Sequence, residues 1–150
     1  MNVAFHVPTT LLAGLLGMVA MELAMWLITR SGWAQGNMIV ALGSLFTRTR
    51  QNAFGVGLVA HTVAAVFFAE LYLLGMLEFG LVGWPVSLFT GIGFGLLHGM
   101  VVTLTLVWIV ADHHPLEEFQ EAGLAVGVSH IAGHVAYGAV VGAVIGLSLR

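Results

Sequence analysis

Val128-Ser-His-Ile-Ala-Gly-His-Val-Ala-Tyr137 places two imidazoles four residues apart in an otherwise apolar run. Four residues is just over one helical turn, so His130 and His134 lie one above the other on a single face, and Tyr137 follows on that face. What the pair means depends on its solvent. In water two such histidines are ordinary. In lipid each is a costly polar group that needs a partner.

The composition decides for lipid. Of 150 residues, 59% are hydrophobic and 7% are charged, against roughly a quarter charged in soluble domains. The fold class is therefore all-α, a polytopic membrane protein in contact with the lipid bilayer. The 20 glycines suit closely packed transmembrane helices. With no cysteine, disulfides, thiolate metal sites, iron–sulfur clusters and cysteine nucleophiles are excluded. The basic residues are all arginines (Arg30, Arg48, Arg50 and Arg150), so no lysine exists for a Schiff base, and no basic patch exists for nucleic acid.

A crossing needs about 20 mostly apolar residues. On that measure the chain forms one domain with four spans, at about 9–29, 53–77, 85–111 and 121–149. The first apolar run lacks a charged leading segment and is too long for the core of a signal peptide, so it reads as a retained helix. Pro8 and Thr9 mark its start, and Pro85 opens the third span. The turn after Glu78 is short and carries Gly80 and Gly83, so the second and third spans form an antiparallel hairpin. Between the first two spans lies an apolar run after Gly36 and Asn37 that is too short to cross. It is expected to be a short interfacial or re-entrant helix with Asn37 as its cap.

Arginine placement sets the orientation. Arg30, Arg48 and Arg50 fall in the first connection and only Arg150 on the opposite side. The first and third connections are thus expected in the cytoplasm and both termini outside, in a prokaryotic inner or plasma membrane.

Depth, measured from the arginine-bearing side at about 1.5 Å per residue, groups the polar residues of the spans. Glu22, His61 and His130 fall at about 12 Å, and His98 and His134 one turn deeper, at about 20 Å. Helical phase agrees, because His61, His98 and the His130/His134/Tyr137 face can each be the interior face of its helix. Glu70 lies half a turn out of phase with His61. It is expected to be protonated, to face a dimer interface, or to mark a helix distortion.

Imidazoles with a carboxylate suit zinc, iron, manganese or copper, and helix bundles build such sites from facing helices. His130 and His134 at i, i+4 can hold one ion from consecutive turns. His61, His98 and Glu22 would complete the shell, with Tyr137, Thr105 and Ser129 as the groups that orient it. The same histidines could instead ligate a b-type haem from facing helices, His61 with His130 or His98 with His134. The polar loop holding His113, His114 and Glu117 could admit cations to this site. Three other readings stay open. The histidines could be neutral and hydrogen-bonded across helices. They could form a proton or ion pathway with Glu22. Or the protein could serve assembly, as a homodimer through the stripe of Gly127, Gly138, Gly142 and Gly146. Met18, Met21 and Met25 beside Glu22 could be soft copper(I) ligands, but they read first as packing.

The ending Gly127-Val-Ser-His-Ile-Ala-Gly-His-Val-Ala-Tyr-Gly138-Ala-Val-Val-Gly142 resembles the close of a family of small four-helix membrane proteins of bacteria and archaea, similar in part to YagU-like inner-membrane proteins. The shared pattern is Gly-His-x-x-Tyr-Gly-x-x-x-Gly, matched at Gly133, His134, Tyr137, Gly138 and Gly142. The resemblance implies fold and membrane location and brings no activity.

Overall fold

The computed structural model describes residues 6–34, 37–106, 110–120 and 123–149. Gly36, Glu121 and Arg150, used above for the short helix, the fourth span and the charge balance, lie outside the described residues. The elements are α1 (Val7–Arg30), α2 (Met38–Thr47), α3 (Ala53–Glu78), α4 (Val86–Thr105) and α5 (Leu124–Ser148), with 3-10 turns at Ala111–His113 and Glu117–Phe119. The helices α1, α3, α4 and α5 are each long and apolar enough to cross a membrane, and α2 is too short. The chain is an integral membrane protein built only of helices among its described residues.

Local chemistry explains the ends. Pro8 sits in the first turn of α1, where its missing N–H costs nothing. At the other end the Arg30 guanidinium lies over the Trp26 ring, 5.0 Å from its centroid. Asn37 caps α2, its side chain accepting from the Val40 amide at 3.3 Å. Arg48 and Asn52 both take the left-handed conformation (φ 56° and 61°), which turns the chain sharply so that α2 lies back on α3. After α3, Gly80 at φ 66° lets the Leu81 amide reach the Met76 carbonyl at 2.7 Å, closing the helix end. The fourth transmembrane helix starts at Leu124, with Gly123 extended before it, three residues later than the sequence pattern suggests. The regular part of α4 ends at Thr105, six residues short of the expected limit, and by Ala111 the chain is in the tighter 3-10 form.

Packing follows residue size. Outward faces carry Val19, Leu23, Val63, Phe67, Phe89 and Val101, all more than half exposed and suited to lipid contact. Inward faces carry mainly Gly, Ala, Ser, Met, Tyr and His, with Leu73, Val141 and Ile145 fully buried among them. Helix α1 packs between α3 and α5, and α5 packs between α1 and α4. Gly91 and Gly138 meet where α4 crosses α5: a Cβ on either would collide with the main-chain carbonyl of the other. Gly142 and Gly146 continue this contact against Ser87. Of the stripe Gly127, Gly138, Gly142 and Gly146, the last three are therefore turned to α4 within the chain. In contrast α3 and α4, although joined by a short turn, hardly meet along their backbones. Rings stand between them: Phe94 packs against Gly75 and lies 5.3 Å from the Tyr72 ring centre. The hairpin expected from the short turn is thus a splayed one, and the true partner of α4 is α5.

Candidate functional site

The splay leaves a partly open cavity of about 250 Å³ with mainly apolar walls. His61, His98, His130 and His134 all line it, with Met21, Phe68 and Tyr137. One part of its wall is formed by α2 (Met38, Ala41, Leu42 and Leu45) and by Ala111, His114 and Phe119 of the third connection.

On α5 the two histidines are held alike. His130 Nδ1 lies 2.8 Å from the Val126 carbonyl, and His134 Nδ1 lies 2.7 Å from the His130 carbonyl. A carbonyl only accepts, so Nδ1 is the protonated nitrogen in both rings. In the neutral imidazole Nε2 then keeps its lone pair, and the ring direction is fixed by the backbone one turn earlier. Both side chains are buried, with 6% of each residue exposed.

The other two histidines are tied differently. His61 Nε2 lies 3.2 Å from Glu22 Oε1. The distance is that of an ion pair but the alignment is not that of a hydrogen bond, and both atoms are shut off from solvent without a hydrogen-bond partner. Glu22 does not line the cavity; it stands behind His61. His98 stacks edge-on against His134 with ring centres 4.6 Å apart, and its Nδ1 lies 3.3 Å from the Tyr72 hydroxyl. Phe68 covers its other side, 4.0 Å from centre to centre. The depth grouping thus pairs Glu22 with His61 and His98 with His134, yet each ring is already turned toward its own partner. Among the described residues no three of the His, Asp or Glu side chains are gathered so that they could hold one metal ion. The five-donor shell expected from the sequence is not assembled.

Of the orienting groups, Tyr137 lines the cavity and donates its hydroxyl to the Ala65 carbonyl at 2.6 Å, joining α5 to α3. Ser129 is buried but bonds the Ala125 carbonyl of its own helix at 2.7 Å, away from the cavity wall. Thr105 is exposed and bonds the Val101 carbonyl at 2.9 Å. The threonine that faces α5 is Thr103, whose hydroxyl donates to the Gly127 carbonyl at 2.9 Å. It continues the i, i+4 stripe of Gly91, Gly95 and Gly99, the contact face of α4.

The loop divides in the same way. His113 and Glu117 are exposed and line no part of the cavity. His114 is 3% exposed. Pro115 holds it extended (ψ 135°), which points it back at α2. Its Nε2 lies 3.1 Å from the Ala41 carbonyl, which only accepts, and its Nδ1 sits against Leu116, 3.1 Å from the amide and 3.2 Å from the carbonyl. Arg50 and Glu118 make an ion pair across the same junction. Of the three loop residues, His114 alone reaches the cavity, and the proline after it is the signal in the sequence that its backbone is fixed.

Compared with known proteins, the chain matches no family model, no curated protein sequence and no solved structure.

Proposed function

We propose that the protein binds a transition-metal ion inside the membrane, for handling or transport, with His130 and His134 as the primary ligands. The observation that carries this is the shared tautomer of the two rings: both Nδ1 atoms are bonded to main-chain carbonyls one turn earlier, and both residues line one cavity. Imidazoles that bind metals through Nε2 are oriented in this way by a partner on Nδ1. His61 and His98 would shape the wall, and the Glu22 carboxylate behind His61 would offset positive charge.

A bare ion suits the space better than a b-type haem. A volume of about 250 Å³ falls below the roughly 300–1,000 Å³ usual for pockets that enclose a small molecule. The cytoplasmic position of the first and third connections, with both termini outside a prokaryotic plasma membrane, is part of the proposal. It would put the part of the cavity wall formed by α2 and His114 nearest the cytoplasmic side.

The test is elemental analysis of protein purified without an affinity tag, wild type against the His130→Ala/His134→Ala double variant. About one ion per chain in wild type and none in the variant is the expected result. Equal metal content in the two removes the proposal, and a Soret band in wild type replaces the ion with haem.

The Glu22–His61 pair favours a second reading. Two partly buried, unaligned ionisable groups at 3.2 Å, their facing atoms shut off from solvent, are suited to passing a proton. Proton flux into liposomes carrying the protein, lost in Glu22→Gln and kept in the double histidine variant, would select it.

A further inference from the structure

Two imidazoles do not complete a coordination shell, and no third His, Asp or Glu joins them among the described residues. We propose that the ion is copper(I) and that the Met21 thioether supplies the third donor. The inference rests on the metal reading above and narrows it to one ion and one further ligand.

Met21 is 2% exposed and lines the same cavity as His130 and His134. It is seated on α5 at Gly133: a Cβ built there would lie 3.2 Å from Met21 Cγ. Gly133 stands between the two histidines in sequence, one residue before His134 and three after His130. A side chain at that position would press on Met21 and on Met25, whose sulfur would be 3.3 Å away. The missing side chain therefore lets a methionine of α1 reach the level of the paired imidazoles.

Chemistry then selects the ion. The chain has no cysteine, so thioethers are its soft donors, and soft donors favour copper(I). The charge balance agrees. Two neutral imidazoles and a thioether leave the charge of the ion uncancelled, and the cost of burying charge in a medium of low dielectric constant rises with its square. A singly charged ion in this shell is therefore far cheaper than zinc(II). One carboxylate, Glu22, stands behind the cavity wall at His61, enough to balance a single positive charge.

The experiment titrates tag-free protein in detergent with copper(I) under anaerobic conditions, in competition with a chromophoric copper(I) chelator, and separately with zinc(II). Wild type is expected to take up one equivalent of copper(I). Met21→Leu keeps the volume and is expected to weaken copper(I) by at least about tenfold, the loss typical even of groups one step removed from a metal, with a smaller effect on zinc(II). X-ray absorption should show a sulfur neighbour of copper that disappears in Met21→Leu. Retention of wild-type copper(I) affinity and the sulfur signal in Met21→Leu overturns the role of Met21. Wild type that takes up zinc(II) but not copper(I) overturns the choice of ion while the metal reading stands. Wild type that takes up neither overturns both.

Discussion

Gly91 of α4 and Gly138 of α5 face one another so closely that each occupies, with its carbonyl, the space where the other's side chain would be. Replacing either therefore forces two backbones apart. Gly138→Ala should lower stability by about 1–3 kcal/mol, the usual cost of overpacking a tight contact. Gly93→Ala, on the same helix as Gly91 but facing open space, should be neutral or gain up to about 1 kcal/mol from helix propensity. Unfolding in mixed detergent, followed by circular dichroism, compares the two. Equal behaviour would mean that the α4–α5 contact is looser than described.

Tyr137→Phe removes the hydroxyl that reaches the Ala65 carbonyl at 2.6 Å and leaves the ring, which packs 5.7 Å from Tyr72. The expected loss is about 0.6–2 kcal/mol, the range for hydrogen bonds between membrane helices. The same unfolding measurement reads it. A loss near 4 kcal/mol would show that the hydroxyl also holds the cavity wall in place.

His114→Ala breaks the bond to the Ala41 carbonyl, which joins the third connection to α2 at the cavity wall. Because the chain lacks cysteine, a single cysteine at Ala64, on the cavity wall, reports access directly. Its labelling by a water-soluble maleimide should speed up about tenfold in the His114→Ala background, corresponding to a change near 1.4 kcal/mol in the opening equilibrium. Glu117→Ala, which changes an exposed loop residue away from the wall, should leave the rate unchanged. An equal rate in all three backgrounds would show that His114 does not control access.

Glu22→Gln separates the two proposed functions. Under the metal reading Glu22 lies behind His61 and is no ligand, so one ion per chain should remain, bound about 10–100-fold more weakly as for the loss of an outer partner. Competition titration measures this. Complete loss of the ion would make Glu22 a direct ligand and require His61 to turn away from it.

Much of the fold was legible because lipid imposes one simple demand on a helix, a long apolar run. The starts of α1 and α3 follow from it within a few residues, and the Asn37 cap marks α2. The pairing of Glu22 with His61 and of His98 with His134 was legible for a related reason, since the regular rise of a helix converts sequence position into depth. What depth and phase do not contain is which helix neighbours which. Glycine stripes are visible on both α4 and α5, but that they meet each other, and not a second chain, depends on rings such as Phe94 and Tyr72 holding α3 away. Thr105 was misplaced because phase alone does not say where along a helix its partner is still close. Of the loop residues offered as an entry, His114 lines the cavity and His113 and Glu117 do not; hydropathy records that a loop is polar, and not that Pro115 aims the residue before it inward.

The separation of α3 from α4 has a mechanical consequence. The glycine seams lock α4 to α5 through backbone contact, and Gly43 with Gly57 does the same for α2 and α3. Between these two rigid pieces, on the α3–α4 side, stand side chains alone. Rings can slide over one another without a main chain having to climb over another. The bundle is therefore softest along that line, and a small rocking of the α2–α3 wedge there would change the volume around the four histidines more than any bending of a single helix.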